Sequence, residues 1–155
     1  MKIFSLVIAT VLFSFYTTAQ TLPAFSFTKS NKQKITPASL PENKPIVVCY
    51  FNPFCDKCET QAAKIKEKAA KFAGITLVYV SSEASLEENE AFRKKYFTSM
   101  PNVFVCKDEE FKFDTWFGYS EAPSIYVYNK ARNRTAVFTA VVTVEEILDA
   151  CSKTM

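Results

Sequence analysis

Two cysteines separated by two residues, Cys55-Asp56-Lys57-Cys58, are the part of this 155-residue chain best suited to chemistry. A pair at this spacing can hold a metal or cycle between dithiol and disulfide. A structural zinc site takes four ligands, ordinarily with a second pair at similar spacing. The other three cysteines, Cys49, Cys106 and Cys151, are solitary, and the chain has no His. No metal ligand and no cofactor is therefore assigned. The lack of His also removes imidazole acid–base catalysis and Cys–His nucleophile pairs. A purely structural 55–58 bridge is the rival reading, but so short a loop contributes little stability. Thiol–disulfide exchange is the chemistry that these residues favour.

The elements around the pair decide which sulfur does what. Pro45 to Phe51 is a nearly continuous apolar run and reads as a strand buried on both faces. Asn52-Pro53 breaks it. Cys58, Ala62, Ile65, Ala69 and Phe72 then recur on one helical face, which predicts a helix from about Asp56 to Ala73, with Gly74 as its C-terminal cap. Ile75 to Val80 is a second buried strand, so the three elements form a βαβ unit with parallel strands. The cysteines thus lie at a helix N-terminus, where free N–H groups and the helix dipole favour a thiolate. Cys55 is expected to be the attacking thiol, with a lowered pKa. Cys58, one turn deeper, is expected to be shielded and to resolve the mixed disulfide.

The remaining chain supports a single α/β domain. Ala24 to Thr28 reads as a short strand with alternating Phe25 and Phe27, and Lys29 to Lys44 as mostly loop. Ser85 and Glu88 form a capping-box pattern that opens a helix from Leu86 to about Phe97. Val103 to Cys106 is a strand. Asp108 to Phe117 leans towards a short helix with Phe113, Trp116 and Phe117 inward. Ser124 to Tyr128 and Thr135 to Val142 form a hairpin through Asn129 to Arg134. Thr143 with Glu146 caps a last helix whose Val144, Ile147, Leu148 and Cys151 share a face.

Composition limits the partners. With 2 Gly a glycine-rich phosphate loop is excluded, and a formal charge of +3 without a basic patch argues against nucleic acid. Lys2, an apolar stretch from Ile3 to Tyr16, and Thr17-Thr18-Ala19 have the pattern of a signal peptide over residues 1–19, with cleavage near Ala19. The mature domain is then 20–155, exported or periplasmic, in surroundings where disulfides persist. A monomer is expected. Cys49, Cys106 and Cys151 lie on apolar faces and read as buried small hydrophobes.

The strand–CxxC–helix–strand order, with Tyr50-Phe51-Asn52-Pro53-Phe54 leading into the motif, resembles the thioredoxin superfamily. Glu121-Ala122-Pro123-Ser124 before the strand Ile125 to Tyr128 is similar to that family's second signature, and the resemblance spans roughly Phe25 to Cys151. It implies a thioredoxin-like fold with a central mixed β-sheet flanked by helices. It also implies a cis Pro123 beside the CxxC, with Ala122, Pro123 and Phe54 contacting substrate. The signal segment, with an inserted helix and strand between the βαβ unit and the cis-proline half, points to the extracytoplasmic TlpA/ResA-like branch. The partners implied are protein thiols or disulfides and a membrane or periplasmic electron donor. The chain departs from the pattern in three places. Phe51 and Phe54 stand where Trp is usual, and Cys49 stands where a buried Asp assists proton transfer, leaving Glu83 as the candidate acceptor. A peroxiredoxin pattern fails locally, because Asn52 occupies the position of its Thr. These departures motivate an alternative, a non-enzymatic thioredoxin-fold binding or accessory module. Asp56 and Glu59 beside the pair disfavour a very acidic thiolate, so a reductant or isomerase is expected rather than a strong oxidant.

Overall fold

The computed structural model describes residues 20–154; the expected signal segment lies outside the described residues. Seven strands form one sheet: β1 Phe27–Lys29, β2 Lys34–Ile35, β3 Ile46–Tyr50, β4 Thr76–Ser81, β5 Val103–Lys107, β6 Ser124–Tyr128 and β7 Arg134–Phe138. Their order is β2-β1-β5-β4-β3-β6-β7. β3, β4 and β5 are parallel, and the neighbours on either side run antiparallel. Four helices cover the sheet: α1 Asp56–Glu67, α2 Leu86–Phe97, α3 Phe113–Phe117 and α4 Val144–Ser152. The inserted pair is α2 and β5, and β5 extends the parallel ladder outside β4.

Strand alternation divides the core into two layers. Val47, Cys49, Leu77 and Tyr79 pack with Cys58, Ala62 and Ile65 of α1, Phe92 of α2 and Ile147 of α4. Ile46, Val48, Val78, Val80 and Cys106 face the other way, against Phe25, Phe27, Phe113 and Phe117. Side chains two apart on a strand share a face, so Cys49 falls on the same side as α1 and Cys106 does not.

Both capping boxes form. Ser85 Oγ accepts from Glu88 N at 3.1 Å, and Ser85 N donates to Glu88 Oε2 at 2.7 Å. Thr143 and Glu146 make the same exchange at 3.2 and 2.8 Å. Each satisfies N–H groups that a helix start would leave unpaired.

Four boundaries differ from the sequence reading. α1 ends at Glu67, not Ala73; Lys68 leaves the helical region (φ −110, ψ 31), and Ala69–Phe72 continues as a 3-10 turn that still buries Phe72. Gly74 is not a left-handed cap, since Gly118 is the glycine with positive φ. The Asn102 side chain does the work of a cap, donating to Phe72 O at 2.8 Å and Ile75 O at 2.7 Å. β7 stops at Phe138, because the chain then drops onto α1, where Val142 N donates to Gln61 Oε1 at 2.9 Å. The first strand pairs over Phe27–Lys29, starting three residues later than Ala24, and Lys34–Ile35 in the expected loop pairs with it.

Candidate active site

The end of β3 delivers the chain to the motif through a short ordered turn. Phe51 N still bonds Val80 O at 2.9 Å. Asn52 then organises the break: its Oδ1 accepts from Phe54 N at 2.9 Å and its carbonyl accepts from Cys55 N at 3.1 Å. Cys55 is the N-cap of α1 in an extended conformation (φ −96, ψ 116), and its carbonyl accepts from Glu59 N at 3.0 Å. Its side chain makes no capping hydrogen bond, so the sulfur is left available.

The second half of the site comes from the loop before β6. The Ala122–Pro123 peptide is cis, and Ala122 O lies 3.9 Å from Cys55 Sγ. Cys55, Cys58, Ala122 and Pro123 therefore meet where the C-terminal end of β3 faces the N-terminal end of β6, whose Tyr50 and Ser124 are register partners. Ser124 Oγ donates to Glu121 O at 2.5 Å and holds that loop in place.

The two sulfurs sit in contrasting environments. Cys55 is half-buried, whereas Cys58 is 1% exposed. Burial pushes the Cys58 thiol up to about 12, the Asn52 backbone pulls against it, and the adjoining Cys55 raises it further. Burial thus disfavours the Cys58 thiolate beside Cys55. All five cysteines are free thiols here.

Electrostatics around the motif are milder than the run Asp56, Lys57, Glu59 suggests. Glu59 is held by Lys95 at 2.6 Å, and that contact lowers its pKa. Its charge is thus partly compensated, leaving exposed Asp56 and Lys57 of opposite sign beside Cys55. Phe54 is 72% exposed, so it is not core packing, while Phe117 is buried and Trp116 packs edge-on against Phe27 at 5.5 Å.

Beneath the pair, Cys49 is buried and its thiol is also pushed up to about 12 by burial. It lies opposite Tyr79 in the β3–β4 register. The Tyr79 hydroxyl is buried without a hydrogen-bond partner of ordinary geometry, and burial followed by the neighbouring Cys49 moves its pKa well upward. Glu83, the acceptor the sequence suggested, is exposed just past the end of β4. Gln61, one turn after Cys58, was not singled out by sequence; a polar residue inside an apolar helical stripe was the available signal, and it anchors Val142. Among the described residues no group of three or more His, Cys, Asp or Glu is arranged to hold a metal ion, and no helix is long and apolar enough to cross a membrane.

Solved structures share this architecture. A secreted Mycobacterium tuberculosis disulfide oxidoreductase homologous to Escherichia coli DsbE superposes with a TM-score of 0.70 at 19% identity, covering 83% of this chain and 95% of that one. Mycobacterium tuberculosis DsbF, in mixed oxidised and reduced forms, gives 0.71 at 20% identity over 87% and 98%. A thioredoxin-family thiol:disulfide interchange protein from Chlorobium tepidum gives 0.65 at 19% over 86% and 96%. No curated protein matches the chain in sequence. The AhpC/TSA family model matches residues 18–142. The chain therefore belongs to the AhpC/TSA family, and its fold is the thioredoxin-like one that these structures share.

Proposed function

We propose that this protein is an exported thiol–disulfide oxidoreductase that reduces or isomerises disulfides in extracytoplasmic proteins. The observation that carries the reading is the asymmetry of the dithiol. Cys55 is accessible at a helix N-terminus, and Cys58 is buried and protonated behind it. In this reading the Cys55 thiolate attacks a substrate disulfide. A Cys55–substrate S–S bond forms, the substrate S–S bond breaks, and one substrate sulfur leaves as thiolate. Cys58 then gives up its proton and attacks Cys55 Sγ, closing the Cys55–Cys58 disulfide and releasing the second substrate thiolate. Two electrons pass to the substrate and the two thiol protons end on its two sulfurs. Phe54, Ala122 and Pro123 frame the approach, and an electron donor outside the chain returns the pair to the dithiol. Residues 1–19 are removed as a signal peptide, leaving a periplasmic or otherwise exported monomer.

Insulin reduction and exchange with a model disulfide test the reading. Wild type should be active, and Cys55→Ser and Cys58→Ser should lose turnover. Cys58→Ser should accumulate mixed disulfides with its natural partners, because resolution is blocked. Activity equal to that of the double mutant would sink the proposal.

A further inference from the structure

Four large hydrophobic side chains are exposed among the described residues, and two of them adjoin the site along the chain: Phe54, directly before Cys55, and Tyr119, three residues before Ala122, whose carbonyl lies 3.9 Å from Cys55 Sγ. Tyr119 is 81% exposed although its loop is firmly tied. Gly118 closes α3 at φ +91, its N–H bonding Asp114 O at 2.9 Å. Ser120 Oγ donates to Gly118 O at 2.8 Å and shares a hydrogen bond of 2.5 Å with Tyr126 Oη. The ring is therefore held out in water by an ordered loop. Its hydroxyl donates to Glu121 Oε1 at 3.2 Å. Glu121 and Asp114 are also the two carboxylates that act on the Tyr119 hydroxyl, and neither forms an ion pair among the described residues. Unpaired carboxylates beside an open aromatic face suit one class of group especially well. A guanidinium stacks on the ring and offers paired N–H donors to a carboxylate.

We propose that Phe54, Tyr119 and Glu121 form a recognition rim for polypeptide cystines flanked by an apolar residue and an arginine. The apolar side chain covers Phe54, and the guanidinium lies on Tyr119 against Glu121, with Asp114 adding to the field. This rests on the dithiol function proposed above and names its substrate class.

The test uses two disulfide-closed peptides, one with Phe-Arg beside the cystine and one with Phe-Glu, and compares kcat/KM for reduction by the dithiol form of the protein. Hydroxyethyl disulfide, small and uncharged, reports the dithiol chemistry alone. The Arg peptide should be preferred by about three- to tenfold at about 20 mM salt, and the preference should shrink at about 0.5 M. Glu121→Gln with Asp114→Asn should bring the ratio towards unity; a ratio cancels any general loss of activity in the variant. Tyr119→Leu should erase the margin of the Arg peptide over a third, control peptide with Phe-Lys beside the cystine. Equal or reversed rates for the two peptides, with hydroxyethyl disulfide still reduced, would overturn the rim alone. So would a concentration-dependent dimer abolished by Tyr119→Ser, which would assign the patch to self-contact. Failure to reduce hydroxyethyl disulfide would remove the dithiol reading and the rim with it.

Discussion

Replacing Cys55 with serine and following alkylation of Cys58 isolates what burial does to the inner thiol. In the native fold the Cys58 thiol rises from an ordinary 9.0 to about 12. At pH 8 that leaves about one molecule in ten thousand as thiolate, against roughly one in ten for the ordinary thiol, a difference of ~1000-fold in the reactive species. Burial is the largest cause, and the neighbouring Cys55 raises it by less. Cys55→Ser removes only the latter, so Cys58 in the folded variant should still react more than about 100-fold slower than the same residue unfolded in guanidinium. Iodoacetamide labelling, quenched over time and mapped to Cys58 by mass spectrometry, reads the rate directly. The rate should climb about tenfold per pH unit between pH 9 and 11. A folded-state rate within about tenfold of the unfolded rate at pH 8 would refute the reasoning. It would mean that Cys55, not the apolar surroundings of Cys49, Ala62 and Phe51, holds the proton on Cys58.

Alkali should unfold the reduced protein steeply. Cys49, Cys58, Cys106 and Cys151 all rise from 9.0 to about 12 with burial as the first cause, so the stability they support is complete below about pH 9 and is lost as the pH rises towards 12. Each thiol removes about 1.4 kcal/mol per pH unit and the four together about 5.5, so a fold of ~10 kcal/mol reaches its midpoint near pH 11. Anaerobic denaturant titrations at stepped pH check this; a slope under about 2 kcal/mol per unit above pH 10 would contradict it. Ser85→Ala and Thr143→Ala should each cost about 0.5–2 kcal/mol, read as lower urea midpoints at unchanged slope. Unchanged midpoints in both would show that the two capping boxes add nothing to the fold.

Much of this molecule is local, and local features are readable from sequence. The CxxC pair, the helix start after Asn52-Pro53, both capping boxes and the apolar strands depend on residues within a few positions of one another. α2 spans Leu86–Phe97 as expected, because Ser85 and Glu88 define its start and apolar spacing its inner face. Boundaries set by distant partners were not readable. α1 stops early and Gly74 stays ordinary because Asn102, far along the chain, satisfies the carbonyls after the helix. β7 stops where Gln61 captures Val142.

Residue types and spacing suffice to place a dithiol at a helix N-terminus in an α/β chain with no His and no second ligand pair. Long-range packing sets how that dithiol is framed. It brought Ala122 O to 3.9 Å from Cys55 Sγ across 67 residues, set Tyr79 opposite Cys49 beneath the pair, and paired Glu59 with Lys95. It also left Phe54 and Tyr119 in water while burying Phe117. The physical reason is the same in each case. Spacing along a helix or strand determines which face a side chain shares with its near neighbours. What lies opposite that face depends on how the strands are ordered in the sheet, and those contacts join residues that sequence proximity does not relate.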